Sequence, residues 1–133
     1  MRLLFDHEKL NVYQASLKFV ALAETVLEKI PKPLPAWSQL DRASTSIPLN
    51  IAEGNGKFTS PDRCRFFDTA RGSALECAAC LNVWVAKRKL NKDEIFEGKA
   101  ILAQIVSMLV GLIKSNSSDR LHEDPPPCGK KGE

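Results

Sequence analysis

Cys77 and Cys80 stand three residues apart, a spacing that serves thiol–disulfide exchange or half of a zinc site. Exchange chemistry wants the first thiol at a helix N-terminus behind a strand, where its pKa falls. Here both thiols lie among alanines inside a helical pattern. A zinc site needs about four ligands, and the other candidates (Cys64, His7, His122, Cys128) are scattered along the chain. Ordinary buried or interface thiols are the expected role, with no metal and no cofactor. Catalysis finds no other foothold. The chain has no glycine-rich phosphate loop, no nucleophile elbow and no Glu-x-x-His pairs. It is expected not to be an enzyme.

A second constellation runs from Gln39 to Gly56. Pro48 sits in its middle and has no backbone N–H, so the Ser44 carbonyl loses its helical partner and a kink is expected. The hydroxyls of Ser44, Thr45 and Ser46 stand where they can bond freed backbone groups. Ser46, Asn50 and Glu53 share one face, and Gly54 and Gly56 close the element. Glu53 has Arg42, Arg65 and Arg71 as candidate ion-pair partners. Arg42, Ser46, Pro48, Asn50, Glu53 and Gly54 are therefore expected to form a structural or assembly motif, because buried polar groups need partners.

The cations fall into two groups. Lys57, Arg63, Arg65 and Arg71 are interrupted by Asp62 and Asp68, whereas Lys87, Arg88, Lys89 and Lys92 cluster with no acid among them. Phosphate contact is what a nucleic-acid binder uses first, so Arg63, Arg65, Lys87, Arg88, Lys89 and Lys92 are the candidate nucleic-acid contacts. The plain alternative is a helix end that favours cations through its dipole. Trp37 and Trp84 fit packing better than base stacking, since no aromatic-rich basic strand surrounds them.

Helices must position all of these groups. Asp6 is a candidate cap for a first helix reaching about Ile30, with one stripe of Leu10, Tyr13, Leu17, Val20, Leu27 and another of Val12, Phe19, Ala23, Val26, Ile30. Together the stripes cover roughly 200°, wider than the ~100° one bundle face needs, so a second interface is expected there. Pro31, Pro33 and Pro35 stop that helix. The second helix starts near Ala36. Ser60 as N-cap, then Pro61 and Asp62, opens a third that ends near Lys89. Asn91 with Glu94 makes a capping box for a fourth, which carries Ile95, Leu102, Ile105, Leu109 and Leu112 to Asn116.

The 133 residues are 44% hydrophobic with a net charge of +3, enough for one core and too apolar for disorder. The N-terminus becomes charged too early for a signal peptide, and no apolar run suggests a membrane span. A cytoplasmic protein without membrane contact is expected. Similar helix lengths and short connectors predict an all-α, antiparallel up-down four-helix bundle over residues 1–116, its second helix kinked. Residues 117–133, polar and Pro/Gly-rich, are expected to be a disordered tail.

The run Ser46-Ile47-Pro48-Leu49-Asn50-Ile51-Ala52-Glu53-Gly54, with Gln39-Leu40 and Arg42-Ala43 before it, resembles the signature of a bacterial family. This is the four-helix-bundle family of the ribosomal-RNA intervening-sequence proteins. The likeness extends to Arg65-Phe66, Ala70, Gly72-Ser73 and Glu76, and spans about residues 5–115. Cys77-Ala78-Ala79-Cys80 and the Pro-rich tail depart from it. The resemblance implies a homopentameric ring. A related branch, the accessory protein of diversity-generating retroelements, implies contact of the basic ring with nucleic acid and a reverse transcriptase. The expected partner is thus a further copy of the chain, acting as scaffold or adaptor, with nucleic-acid binding by basic patches as the alternative.

Overall fold

A computed structural model of the chain describes residues 2–120. They form a short 3-10 helix, Asp6–Lys9, and four α-helices: α1 (Asn11–Leu27), α2 (Pro35–Gly56), α3 (Ser60–Ala86) and α4 (Lys92–Arg120). No strand occurs among the described residues. The architecture is an all-α four-helix bundle.

The first helix begins later than expected, because Asp6 does not cap it. The Asp6 carboxylate instead accepts from Asn55 Nδ2 at 2.9 Å, tying the N-terminal segment to the end of α2. Glu8 takes over at this end: its Oε1 accepts from the Leu4 and Phe5 N–H groups, each at 2.7 Å. Those charge-assisted bonds, the one from Phe5 foremost, hold the Glu8 carboxyl below its usual range. Along α1, Val12, Ser16, Phe19, Ala23, Val26 and Leu27 are buried at helical spacing. Ser16 is tolerated on that stripe because its hydroxyl donates to the Tyr13 carbonyl at 2.6 Å. The helix stops at Leu27 rather than Ile30. Trp37 Nε1 donates to the Leu27 carbonyl at 2.9 Å, and so anchors the proline-rich connector.

Pro35 occupies the first turn of α2, where its missing N–H costs nothing. Pro48 lies buried within the helix, which continues on both sides of it. The neighbouring hydroxyls bond one turn upstream of the position expected: Ser44 Oγ and Thr45 Oγ1 both donate to the Asp41 carbonyl, at 3.1 and 3.0 Å. At α3 the cap is Thr59, one residue before the expected Ser60; its hydroxyl accepts from the Asp62 N–H at 3.4 Å. The box opening α4 is reciprocal. The Asn91 N–H donates to Glu94 and the Glu94 N–H to Asn91, both at 2.9 Å.

The fourth helix runs past Asn116. That side chain cannot end it, because its amide nitrogen donates to the Leu112 carbonyl and its oxygen accepts from Arg63. The first part of the expected tail is accordingly helical, and residues 121–133 lie outside the described residues.

Each helix packs on its neighbours in sequence, and α4 closes back on α1. Contact partners descend in number along one helix as they ascend along the next. Arg42 meets Glu76, Ser46 meets Ser73 and Gly54 meets Phe67; likewise Asn82 meets Lys99 and Cys64 meets Ile113. Phe19, Leu40, Ile47, Phe67, Trp84, Leu102 and Ile105 fill the core. Trp84 is fully enclosed and its Nε1 has no partner among the described residues.

The surplus apolar surface is not where the periodicity of α1 placed it. Leu10, Tyr13, Leu17 and Val20 are half-buried within the single chain. The strongly exposed apolar side chains of the helices are Leu49, Leu75, Val83 and Phe96, on α2, α3 and α4. A second difference concerns α4: by length and composition alone, Lys92–Ser117 is apolar enough to cross a membrane. Ile95, Leu102, Ile105 and Leu109 turn inward, yet only 33% of its most apolar window is buried.

Candidate functional site

The seam between α2 and α3 gathers the polar motif. Asn50 reaches back one turn to donate to the Ser46 carbonyl at 2.8 Å and to Ser46 Oγ at 2.9 Å. Ser46 Oγ in turn meets Ser73 Oγ of α3 at 2.9 Å. One side-chain chain thus locks the turn around Pro48 and carries it to the neighbouring helix. One turn upstream, Arg42 pairs with Glu76 at 2.8 Å. Both groups are substantially exposed, so this pair adds orientation more than energy.

Glu53 stands apart from this set. It is exposed, with no hydrogen bond or ion pair among the described residues; its three candidate partners are engaged elsewhere. Arg42 holds Glu76, Arg65 holds Asp62 at 3.2 Å, and Arg71 binds Asp68 through both Nε and Nη2.

Gly54 is no left-handed cap, and no described glycine has positive φ. Its role is contact. A Cβ built there would meet Phe67 Cε1 at 2.9 Å and Phe66 Cβ at 3.0 Å, so only hydrogen lets α2 close on α3.

The cations also separate into two kinds. Arg63 is drawn inward: its Nε donates to Asn116, its Nη1 to the carbonyls of Asn55 (2.7 Å) and Lys57 (3.3 Å), and its guanidinium lies over Phe67. It fastens the α2–α3 loop to α4. Arg65 and Lys57 both lie over the Phe66 ring. By contrast Lys87, Arg88, Lys89 and Lys92 are all exposed, and no acid among the described residues pairs with any of them. Arg88, Lys89 and Lys92 line an open depression with Val85, Leu90, Asn91 and Glu94.

Backbone geometry builds that turn. Arg88 adopts φ 61°, its N–H donates to the Val85 carbonyl, and the Lys89 N–H donates to Trp84. This is a Schellman closure with arginine in the place that glycine usually takes. Glu94, nearby, accepts from the Asn91 N–H and from Lys29 of α1 at 3.1 Å; the backbone bond first, then the lysine, keeps its carboxyl below the usual range.

Cys77 and Cys80 are buried in the middle of α3. Burial chiefly, then Cys80 and Glu76, pushes the Cys77 thiol up to about 12; burial likewise raises Cys80. Both are therefore neutral thiols at physiological pH, the reverse of a redox-active pair. Among the described residues no group of three His, Cys, Asp or Glu side chains could hold a metal ion. His7 sits against Tyr13, ring centroids 4.8 Å apart.

The α2–α3 seam with its serine bridge, the internal proline and the glycine contact is also where comparison with known proteins bears. The profile of the 23S rRNA-intervening sequence protein family matches residues 8–111. The chain belongs to that family. The match covers all of α1, α2 and α3 and most of α4, so the seam lies wholly within it. Among solved structures, the chain is similar to a protein of unknown function from the S23 ribosomal protein family of Bacteroides thetaiotaomicron. The two are 21% identical with a TM-score of 0.73, over 77% of this chain and 98% of that one. At that identity the likeness establishes the fold. No curated protein matches the chain.

Sequence reasoning named Ser73 and Glu76 within the family likeness and Asn116 as a helix end, but assigned none of the three as a partner of the site. The first two had a signal, since a serine and an acid interrupt the small-residue middle of α3 at one helical turn. Asn116 had none; it lies 53 residues from Arg63.

Proposed function

We propose that this chain is a non-enzymatic cytosolic bundle protein that self-assembles into a homopentameric ring and acts as a scaffold or adaptor. The observation that carries this reading is uncovered apolar surface. Leu49, Leu75, Val83 and Phe96 stand in solvent, and Val106, Met108, Leu112 and Ile113 of α4 are only partly buried. Large apolar side chains left exposed on three helices support an interaction surface. The number five comes from the family resemblance. The absence of an activated nucleophile at Cys77 and Cys80 supports a non-catalytic role. Light scattering on the full chain at micromolar concentration tests the reading. Five chains of 14.7 kDa give about 74 kDa; a 14.7 kDa species overturns assembly.

A second reading, nucleic-acid binding, is favoured by the four exposed cations at the α3–α4 turn, none of them paired to an acid among the described residues. A ring would repeat that rim once per copy. Binding to a polyanion should then fall steeply as salt rises, because cation release from phosphates drives it. Lys87→Glu with Arg88→Glu and Lys89→Glu should abolish binding at unchanged mass. A wild-type protein that ignores RNA and DNA at low salt ends this reading.

A further inference from the structure

The end of the bundle built by the N-terminal segment and the α2–α3 loop, opposite the α3–α4 turn, exposes side chains that no core requires. Leu3, Leu4 and Phe5 are exposed in succession, and Phe58 in the α2–α3 loop is wholly exposed. The two groups share that end. Asp6, beside Phe5, accepts at 2.9 Å from Asn55, which lies three residues before Phe58. The chain is held in this arrangement. The Leu4 and Phe5 N–H groups both donate to Glu8 at 2.7 Å, and the Phe5 ring stacks on His7. Lys57, next to Phe58, is held over the Phe66 ring. Apolar burial is the dominant favourable term in folding, yet here the backbone is bonded in a form that leaves four large apolar side chains in water.

Charge at this end has a prevailing sign. Arg2, Lys9, Arg65 and Lys114 are exposed, and Lys57 and Arg63 are half-buried. The acids are mostly engaged: Asp6 by Asn55, Glu8 by two backbone N–H groups, and Asp62 by Arg65 at 3.2 Å. Glu53, exposed, is the fourth. Six cations against four acids leave a net +2 among the described side chains of this end.

Shape and charge together narrow the occupant. Phe58 protrudes with no neighbour covering it, so a folded partner would need a socket for it and another for Leu4 and Phe5. A lipid surface yields to protruding side chains and needs no socket. Single-stranded nucleic acid stacks its bases on open ring faces. Phe66 instead has Lys57 and Arg65 over its ring, and Leu3 and Leu4 offer no ring at all. Protruding Leu and Phe amid cations are complementary to a bilayer with anionic headgroups. The apolar side chains enter the boundary between headgroups and acyl chains, while the cations meet the negative surface. We propose that this end of the bundle docks reversibly on an anionic membrane surface, in place of the expected absence of membrane contact. The assignment goes beyond the self-assembly reading and does not depend on it.

Cosedimentation of the full chain with lipid vesicles tests it. Vesicles containing phosphatidylserine should carry the protein down at low salt, vesicles of phosphatidylcholine alone should not, and added salt should release it. Leu4→Ala combined with Phe58→Ala should weaken binding about tenfold. Phe96→Ala, an exposed ring at the opposite end, should leave it unchanged. A wild-type chain that stays in the supernatant overturns the proposal, as does a double variant that sediments like wild type. Binding to polyuridylate in place of vesicles, lost in the double variant, would assign this end to nucleic acid and overturn it too. Should the double variant lose helix content by circular dichroism, Phe58→Cys in a Cys128→Ser background decides, since Cys64, Cys77 and Cys80 are buried. An environment-sensitive dye on that thiol should shift to the blue with anionic vesicles, whereas the same dye on Phe96→Cys should not. Equal responses overturn the docking. Mass by light scattering reads self-assembly separately, so the two failures are distinguishable.

Discussion

The two seams on opposite sides of the bundle are held by different means. Between α2 and α3 the contacts are specific: a hydroxyl pair, a glycine against two phenylalanines, and a guanidinium pinned to loop carbonyls. Between α1 and α4 the contacts are generic. An exposed Lys29–Glu94 pair closes one end, and a shallow apolar groove of Leu10, Val12, Met108 and Leu112 runs along the other. Side chains at the second seam can adjust to a change of volume, whereas those at the first are fixed by direction as well as bulk. The unusual residues of the sequence concentrate where adjustment is least possible.

Paired glycines give the sharpest way to break this contrast. Gly54→Ala pushes a methyl into the buried Phe67 ring, which has nowhere to go, and should cost about 1–3 kcal/mol in denaturant unfolding. Gly98→Ala on the α1–α4 side comes tightest against the tip of Leu22 at 3.2 Å, a flexible side chain, with Leu81 and Phe19 at ordinary contact distances of 3.4 and 3.5 Å, and should cost under about 1 kcal/mol. Equal losses would erase the distinction between the seams.

The serine bridge sharpens it further. Ser46→Ala or Ser73→Ala alone leaves a partly buried hydroxyl short of a partner and should cost about 1 kcal/mol. The double variant should cost less than the sum of the two, the mark of a direct interaction. Strict additivity in the unfolding midpoints would mean the hydroxyls act independently.

The smallest effect belongs to Glu94. Its folded pKa is depressed, so its cap and ion pair contribute stability above the ordinary carboxylate pKa. That contribution fades as pH falls through the lowered folded value. Glu94→Gln should therefore lower Tm slightly at neutral pH, and the difference from wild type should vanish in acid. A pH-independent difference would assign the effect to the helix start alone.

The sequence made the helices legible because period and punctuation agree. Prolines 31 and 33 mark the connector after α1, Pro35 opens α2, the Asn91–Glu94 box starts α4, and the inward stripe of α4 contains the residues that periodicity selects. Ends were less legible wherever a side chain had two uses. Asp6 has the chemistry of a cap but meets a better-placed amide in Asn55, and Asn116 has the chemistry of a stop but is held by Arg63. Both decisions depend on residues some fifty positions away, which local patterns do not encode. The motif around Pro48 was visible as a unit, while its partners Ser73 and Glu76 required the two helices to be laid side by side.

The side-chain bonds at the turn between α3 and α4 belong to Asn91 and Glu94. The cationic part of that turn is fastened by main-chain atoms: Arg88 and Lys89 hang their N–H groups on Val85 and Trp84. Its ammonium and guanidinium heads are thereby released from any duty in the fold. The electrical character of that end of the molecule can be rewritten, from cationic to neutral or acidic, while the hairpin beneath keeps its shape.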